Sequence, residues 1–132
     1  LVNIAKKAMA YYDSALQLDP EDNTGFVWGH HQEKWGNYHA GRYHVRSAAN
    51  DLYGAISDID FLLKNKRGLN PCLLFERSQF NYRLENFKQA LNDLDQAVQI
   101  AESGERRFLC YKIRDPRLTG PYRLQIINAL NG

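Results

Sequence analysis

An all-α fold built from stacked helical hairpins is the architecture this chain predicts, and two observations predict it. The segment Ala55-Ile56-Ser57-Asp58-Ile59-Asp60-Phe61-Leu62-Leu63 is echoed 35 residues later by Ala90-Leu91-Asn92-Asp93-Leu94-Asp95-Gln96-Ala97-Val98, with apolar residues and both aspartates at matching offsets. A third stretch, around Ala8, carries the same helical stripe through Ala5, Ala8, Met9, Tyr12, Ala15 and Leu16. Its Asp13 stands five residues after the leading alanine, as Asp60 and Asp95 do after theirs. A period of about 20–50 residues marks a solenoid, in which each unit buries its apolar face by stacking on its neighbours.

The elements follow in order. Residues 1–20 form one helix, closed by Asp19-Pro20. The leading alanines are 55 − 8 = 47 residues apart in the first interval and 90 − 55 = 35 in the second, so 12 surplus residues lie between Pro20 and Gly36. Residues 36–70 are a second unit, with a helix over 37–49, a turn at Asn50-Asp51 and a helix ending near Lys64. Val45, Ala49, Leu52, Ile56, Ile59 and Leu63 would also suit one unbroken helix from Tyr38 to Lys64. The broken version is preferred because the duplicated copy breaks there and Asn-Asp is turn-forming.

Residues 71–105 are the best-formed unit. Asn70-Pro71 is a helix start, since proline is tolerated where the backbone donor has no helical partner. The first helix ends at Glu85-Asn86, and Asn86 with Gln89 reads as a capping box for the second. After Gly104, residues 106–113 suggest another first helix, stopped by Asp115-Pro116-Arg117. Thr119-Gly120-Pro121 then starts a terminal capping helix with Tyr122, Ile126, Ile127 and Leu130 on one side.

The chain has 132 residues and is 44% hydrophobic, enough for one domain with a sizeable core. Seventeen basic against fifteen acidic side chains leave a charge of +2, which argues for neither nucleic acid nor an anionic membrane. No run reaches the ~18–20 apolar residues that span a bilayer, so no membrane role is expected. The residues do not fix a compartment, and only a slight preference for the cytoplasm follows. Cys72 and Cys110 stand apart without metal-binding spacing; a structural disulfide is one reading, and buried free thiols are the preferred one.

Leu74-Phe75-Glu76-Arg77-Ser78, then Tyr82, Phe87, Ala90, Leu94 and Ala97, resemble the tetratricopeptide repeat (TPR) family. They follow its pattern of a large residue, a small residue, two aromatics and two alanines seven apart. Residues 8–20 are similar to the second helix and closing proline of an earlier repeat. The middle unit departs from the pattern at His39, Tyr43 and Leu62. The resemblance implies a right-handed α-α superhelix, a TPR-like solenoid of about two and a half to three and a half repeats with an insertion and a C-terminal cap. It also implies a concave groove lined by the first helix of each unit, suited to a peptide or partner segment. Carried over by position, the middle unit would contribute Asn37, Ala40, His44, Ser47 and Ala48. The next would contribute Cys72, Phe75, Gln79, Tyr82 and Arg83. The clamp for chaperone C-terminal carboxylates is not reproduced.

Two alanines seven apart share a helical face and allow close approach of a neighbouring helix. Arg42/Asp58 and Arg77/Asp93 recur at one 16-residue separation and are expected as bidentate ion pairs tying the two helices of a unit.

Residues 28–44 hold all four histidines and both tryptophans. Trp28, His30, His31 and Trp35 form a possible recognition surface, because indole joins apolar area to a polar tip. The alternative is a metal-dependent or catalytic module using Glu33 and the histidines, including His44. Adjacent His30 and His31 diverge by ~100° on a helix, and no nucleophile or phosphate-cradling loop accompanies them. The expected function is therefore a non-enzymatic adaptor or scaffold without a cofactor, binding a protein or peptide and open to self-association or to continuation of a longer repeat array. RNA reading by helical repeats requires base-reading residues at repeated positions, and His44/Gln79 and Ser47/Tyr82 show no such logic.

Overall fold

A computed structural model describes residues 2–23, 37–65, 70–103, 113 and 115–132. Among them are six helices and no strand: α1 (Val2–Leu18), α2 (Asn37–Ala48), α3 (Leu52–Asn65), α4 (Pro71–Arg83), α5 (Phe87–Glu102) and α6 (Pro116–Asn131). They fall into two compact units, Leu1–Gly68 and Leu69–Gly132. In the first, α1 packs on α2 and α2 on α3; in the second, α4 packs on α5 and α5 on α6. The aromatic and histidine-rich segment 24–36, with Trp28, His30, His31 and Trp35, lies outside the described residues. So does the helix expected over 106–113, apart from buried Ile113.

The two hairpins are built on one turn. In the first, the amide of Asp51 donates to Arg46 O (2.7 Å) and that of Asn50 to Ser47 O (3.0 Å), with Asn50 at φ 63°. In the second, Asn86 donates to Asn81 O (2.8 Å) and Glu85 to Tyr82 O (3.0 Å), with Glu85 at φ 63°. This is the paired 6→1 and 5→2 closure of a helix end around a left-handed residue. The single helix over 38–64 is thereby excluded: the backbone reverses at Asn50, where a side-chain amide eases the left-handed conformation.

Caps explain two further boundaries. Asn70 Oδ1 accepts from the amides of Cys72 (2.9 Å) and Leu73 (3.2 Å), with Pro71 in the first turn. The capping box expected at Asn86 does not form, because Asn86 makes no side-chain cap and Gln89 bonds Asp93 instead. The last helix begins at Pro116, not near Thr119. Asp115 caps it by accepting from Arg117 N (3.0 Å), so Asp115-Pro116 repeats the start signal of Asn70-Pro71, and Pro121 sits inside the helix.

The alanines behave as helix-packing positions. Ala55, Ala90 and Ala97 are wholly buried, as is Leu62 in the place of the second alanine. Gly41 of α2 serves the same purpose against α1: a Cβ there would run into the Tyr12 ring. Around these contacts the first core gathers Tyr43, Leu52, Ile59 and Leu63, and the second Leu73, Leu74, Phe80, Leu94 and Ile126. Cys72 is disulfide-bonded and the described residues include no free cysteine, which corrects the expectation of free thiols. Isolation along the sequence does not limit proximity in space; Cys110, the chain's other cysteine, lies outside the described residues.

Candidate functional site

Each hairpin contains a buried aspartate held by arginine. In the second unit, Arg77 Nε and Nη2 donate to Asp93 at 2.9 and 2.8 Å. Gln89 Nε2 (3.0 Å) and Asn81 Nδ2 (3.4 Å) donate to the same carboxylate. In the first, Arg42 Nη2 reaches Asp58 Oδ1 at 2.7 Å and its Nε lies 3.1 Å from both oxygens. Arg46 Nη1 adds 3.1 Å bonds to Asp58 and to the Gly54 carbonyl. The bidentate pairs expected from the 16-residue separation are present.

The secondary ligands were not foreseen, yet the repeat contains their signal. Arg46 and Asn81 occupy equivalent positions, as do Gly54 and Gln89, 35 residues apart. Where the second unit uses two neutral amides, the first uses one guanidinium and a glycine. A Cβ at Gly54 would press on Arg46 Cδ and the Asp51 carboxylate, so the missing side chain makes room for Arg46. Arg42 Nη1 also donates to Asp13 of α1 (3.0 Å), and Arg123 of α6 pairs with Asp95 (2.9 Å). Burial opposes the Arg42 charge, but its bonds to Asp58 and Asp13 outweigh that and raise its pKa further.

A second arrangement spans the insertion. Asp22, at φ 57° and almost fully buried, accepts from the amides of Tyr38 (3.2 Å) and His39 (3.0 Å) and contacts His39 Nδ1 (2.9 Å). It satisfies the open N-terminus of α2 from 16–17 residues upstream. The His39 ring stacks on Phe61 with centroids 3.7 Å apart. His39, a departure from the repeat pattern, therefore helps to tie Asp22 to the start of α2.

The expected groove residues have different environments. In the second unit, Phe75 is 7% exposed and packs edge-on against Tyr122 of α6 (5.8 Å). Tyr82 is half-buried between Phe87 (5.4 Å) and Tyr122 (5.7 Å). The Tyr122 hydroxyl shares a 2.9 Å hydrogen bond with Ser78, whose own hydroxyl meets Ala90 O at 2.7 Å. Burial raises the Tyr122 pKa, the Ser78 bond partly opposing it and Tyr82 and Asp93 adding to it. Gln79 and Arg83 are exposed on the outer face of α4, one turn apart, with half-buried Glu76 beside them. In the first unit, His44 is exposed and stacked on Tyr43 (4.1 Å), and Ser47 is half-buried.

Among the described residues, no three His, Cys, Asp or Glu side chains converge as a metal site would require, and no helix is long and apolar enough to cross a membrane. No protein-family profile, curated protein or solved structure matches the chain.

Proposed function

We propose that this chain is a non-enzymatic, TPR-like interaction module whose helical hairpins form part of a right-handed solenoid and bind a protein or peptide. The observation that carries the reading is the duplicated hairpin, in which both buried carboxylates are committed to internal bonds. Asp58 and Asp93 lock helix to helix, and α4 presents the exposed Gln79 and Arg83 beside half-buried Tyr82.

That surface suits an extended segment. Gln79 offers an amide to a peptide backbone, Arg83 a planar cation to a carboxylate, and Tyr82 an aromatic edge to an apolar side chain. Glu76, two turns from Arg83, disfavours a second acidic group at the other end of the same face. The His44 and Ser47 surface of α2, and Trp28, His30, His31 and Trp35 of the insertion, are further contact candidates under the same proposal.

The test is selection from a displayed random-peptide library on the immobilised chain. Enriched peptides should carry an acidic residue near an apolar anchor, and Arg83→Glu should abolish their binding while the far-ultraviolet circular dichroism is unchanged. Peptides held equally well by Arg83→Glu and Gln79→Ala would overturn the proposed surface.

A further inference from the structure

Helix α1 carries two apolar seams; α2 packs along one of them and meets the other at Tyr11, through Tyr38. The inner seam, Ala5, Met9, Tyr12 and Leu16, is at most half-exposed. The outer seam runs Ile4, Ala8, Tyr11, Ala15 and Leu18, spaced 4-3-4-3, the interval at which a helix meets a second helix along its length. Ile4, Tyr11 and Leu18 are 70%, 61% and 89% exposed. In α3 and α5 the positions equivalent to Ala8 and Ala15 are fully buried, whereas in α1 they are only half-buried.

The internal repeat also limits what can cover this seam. Three residues after the leading alanine, α3 and α5 carry the aspartates that receive an arginine from α2 and α4; α1 carries Tyr11 there. A helix of the α2 or α4 type would bring an arginine to a site without its carboxylate. The seam calls for a partner whose matching position is apolar or aromatic.

From this we infer that α1 pairs antiparallel with α1 of a second copy, about a two-fold axis at Tyr11. In that register residue i faces residue 22 − i, so Ile4 meets Leu18 at both ends, the two Tyr11 rings meet at the centre, and the alanines between them allow close approach. Edge-to-face contacts with Tyr12 (5.4 Å) and Tyr38 (6.4 Å) already orient the Tyr11 ring. Charge selects the direction: Lys6 and Lys7 lie toward the start of α1, and Asp19 and Glu21 follow its end at Leu18. An antiparallel pair sets unlike ends together and opposes the helix dipoles, whereas a parallel pair sets like ends together. One seam of this length buries less than the ~1,200 Å² typical of stable complexes, so the dimer is weak and reversible. This surface is separate from the α4 surface proposed above.

Sedimentation equilibrium of the 132-residue chain tests it. The unaltered chain should show a concentration-dependent monomer–dimer equilibrium, and Tyr11→Asp should raise the dissociation constant by about tenfold or more. Ile4→Lys and Leu18→Glu should each weaken the dimer, and their combination should recover most of the loss, because antiparallel pairing sets each new lysine opposite a new glutamate. These side chains are exposed, so all variants should keep the helical circular dichroism of the parent. A monomer at every concentration, a dimer indifferent to Tyr11→Asp, or a double variant weaker than either single one would each overturn the pairing.

Discussion

Replacing Arg77 by methionine should destabilise the second unit more than replacing Arg42 by methionine destabilises the first. The carboxylates are equally buried, Asp93 with no exposed side-chain area and Asp58 with 1%. Removing one partner of a buried ion pair costs about 3–5 kcal/mol, because the remaining charge is left without compensation. In Arg77→Met, Asp93 keeps the amides of Gln89 and Asn81 but loses its guanidinium, which places the cost near the lower end, about 3 kcal/mol. In Arg42→Met, Asp58 still has Arg46 at 3.1 Å. The half-exposed Asp13 pair, also lost, adds at most about 1 kcal/mol, so the sum stays near 1–2 kcal/mol. Denaturant midpoints at constant slope give the two values, and hydrogen exchange assigns them, with protection lost in α4–α5 for one variant and in α2–α3 for the other. The double variant Arg77→Met/Asp93→Leu should be markedly more stable than Arg77→Met alone. An Arg42→Met cost equal to or above that of Arg77→Met would refute the compensation by Arg46.

Further outcomes follow from other contacts. Asn70→Ala should cost about 1 kcal/mol and release protection in the first turn of α4, read by hydrogen exchange, because Asn70 satisfies two otherwise open amides. Tyr122 has its pKa raised above 10.0 in the folded chain, so the neutral phenol is favoured there. Its contribution is fully present below about pH 10 and lost as pH rises through the folded value; Tyr122→Phe should flatten that alkaline limb in stability-versus-pH curves. Reducing the Cys72 disulfide should lower stability by about 2–4 kcal/mol, and unchanged melting with and without reductant would contradict the bond.

The hairpins were legible because their determinants are local and duplicated. Asn50-Asp51 and Glu85-Asn86 mark equivalent turns, and the recurring 16-residue Arg–Asp interval was sufficient to expect both clamps. The capping box failed where two local rules competed for Gln89, and the buried Asp93 carboxylate took it. Asp115-Pro116 reads locally as a stop, which sets the expected start of α6 too late, although Asn70-Pro71 shows the same pair type acting as a start. Asp22 and Tyr122 were missed for a different reason. Their partners lie 16–17 and 44 residues away, and, unlike the Arg–Asp pairs, neither contact recurs among the described residues, so no repeat marks it. The exchange of Arg46 and Gly54 for Asn81 and Gln89 was present in the sequence, but becomes meaningful only once all four positions surround a carboxylate.

The most direct measurement of the functional claim is a binding titration of a library-selected peptide by isothermal calorimetry against the unaltered chain, Arg83→Glu and Arg117→Glu. Arg83 lies on the outer face of α4, whereas Arg117 is an exposed arginine of α6. If α4 binds the peptide, Arg83→Glu weakens binding by more than about tenfold, a loss of at least about 1.4 kcal/mol, and Arg117→Glu leaves it unchanged. Equal losses in the two variants, or none in either, would contradict the α4 site.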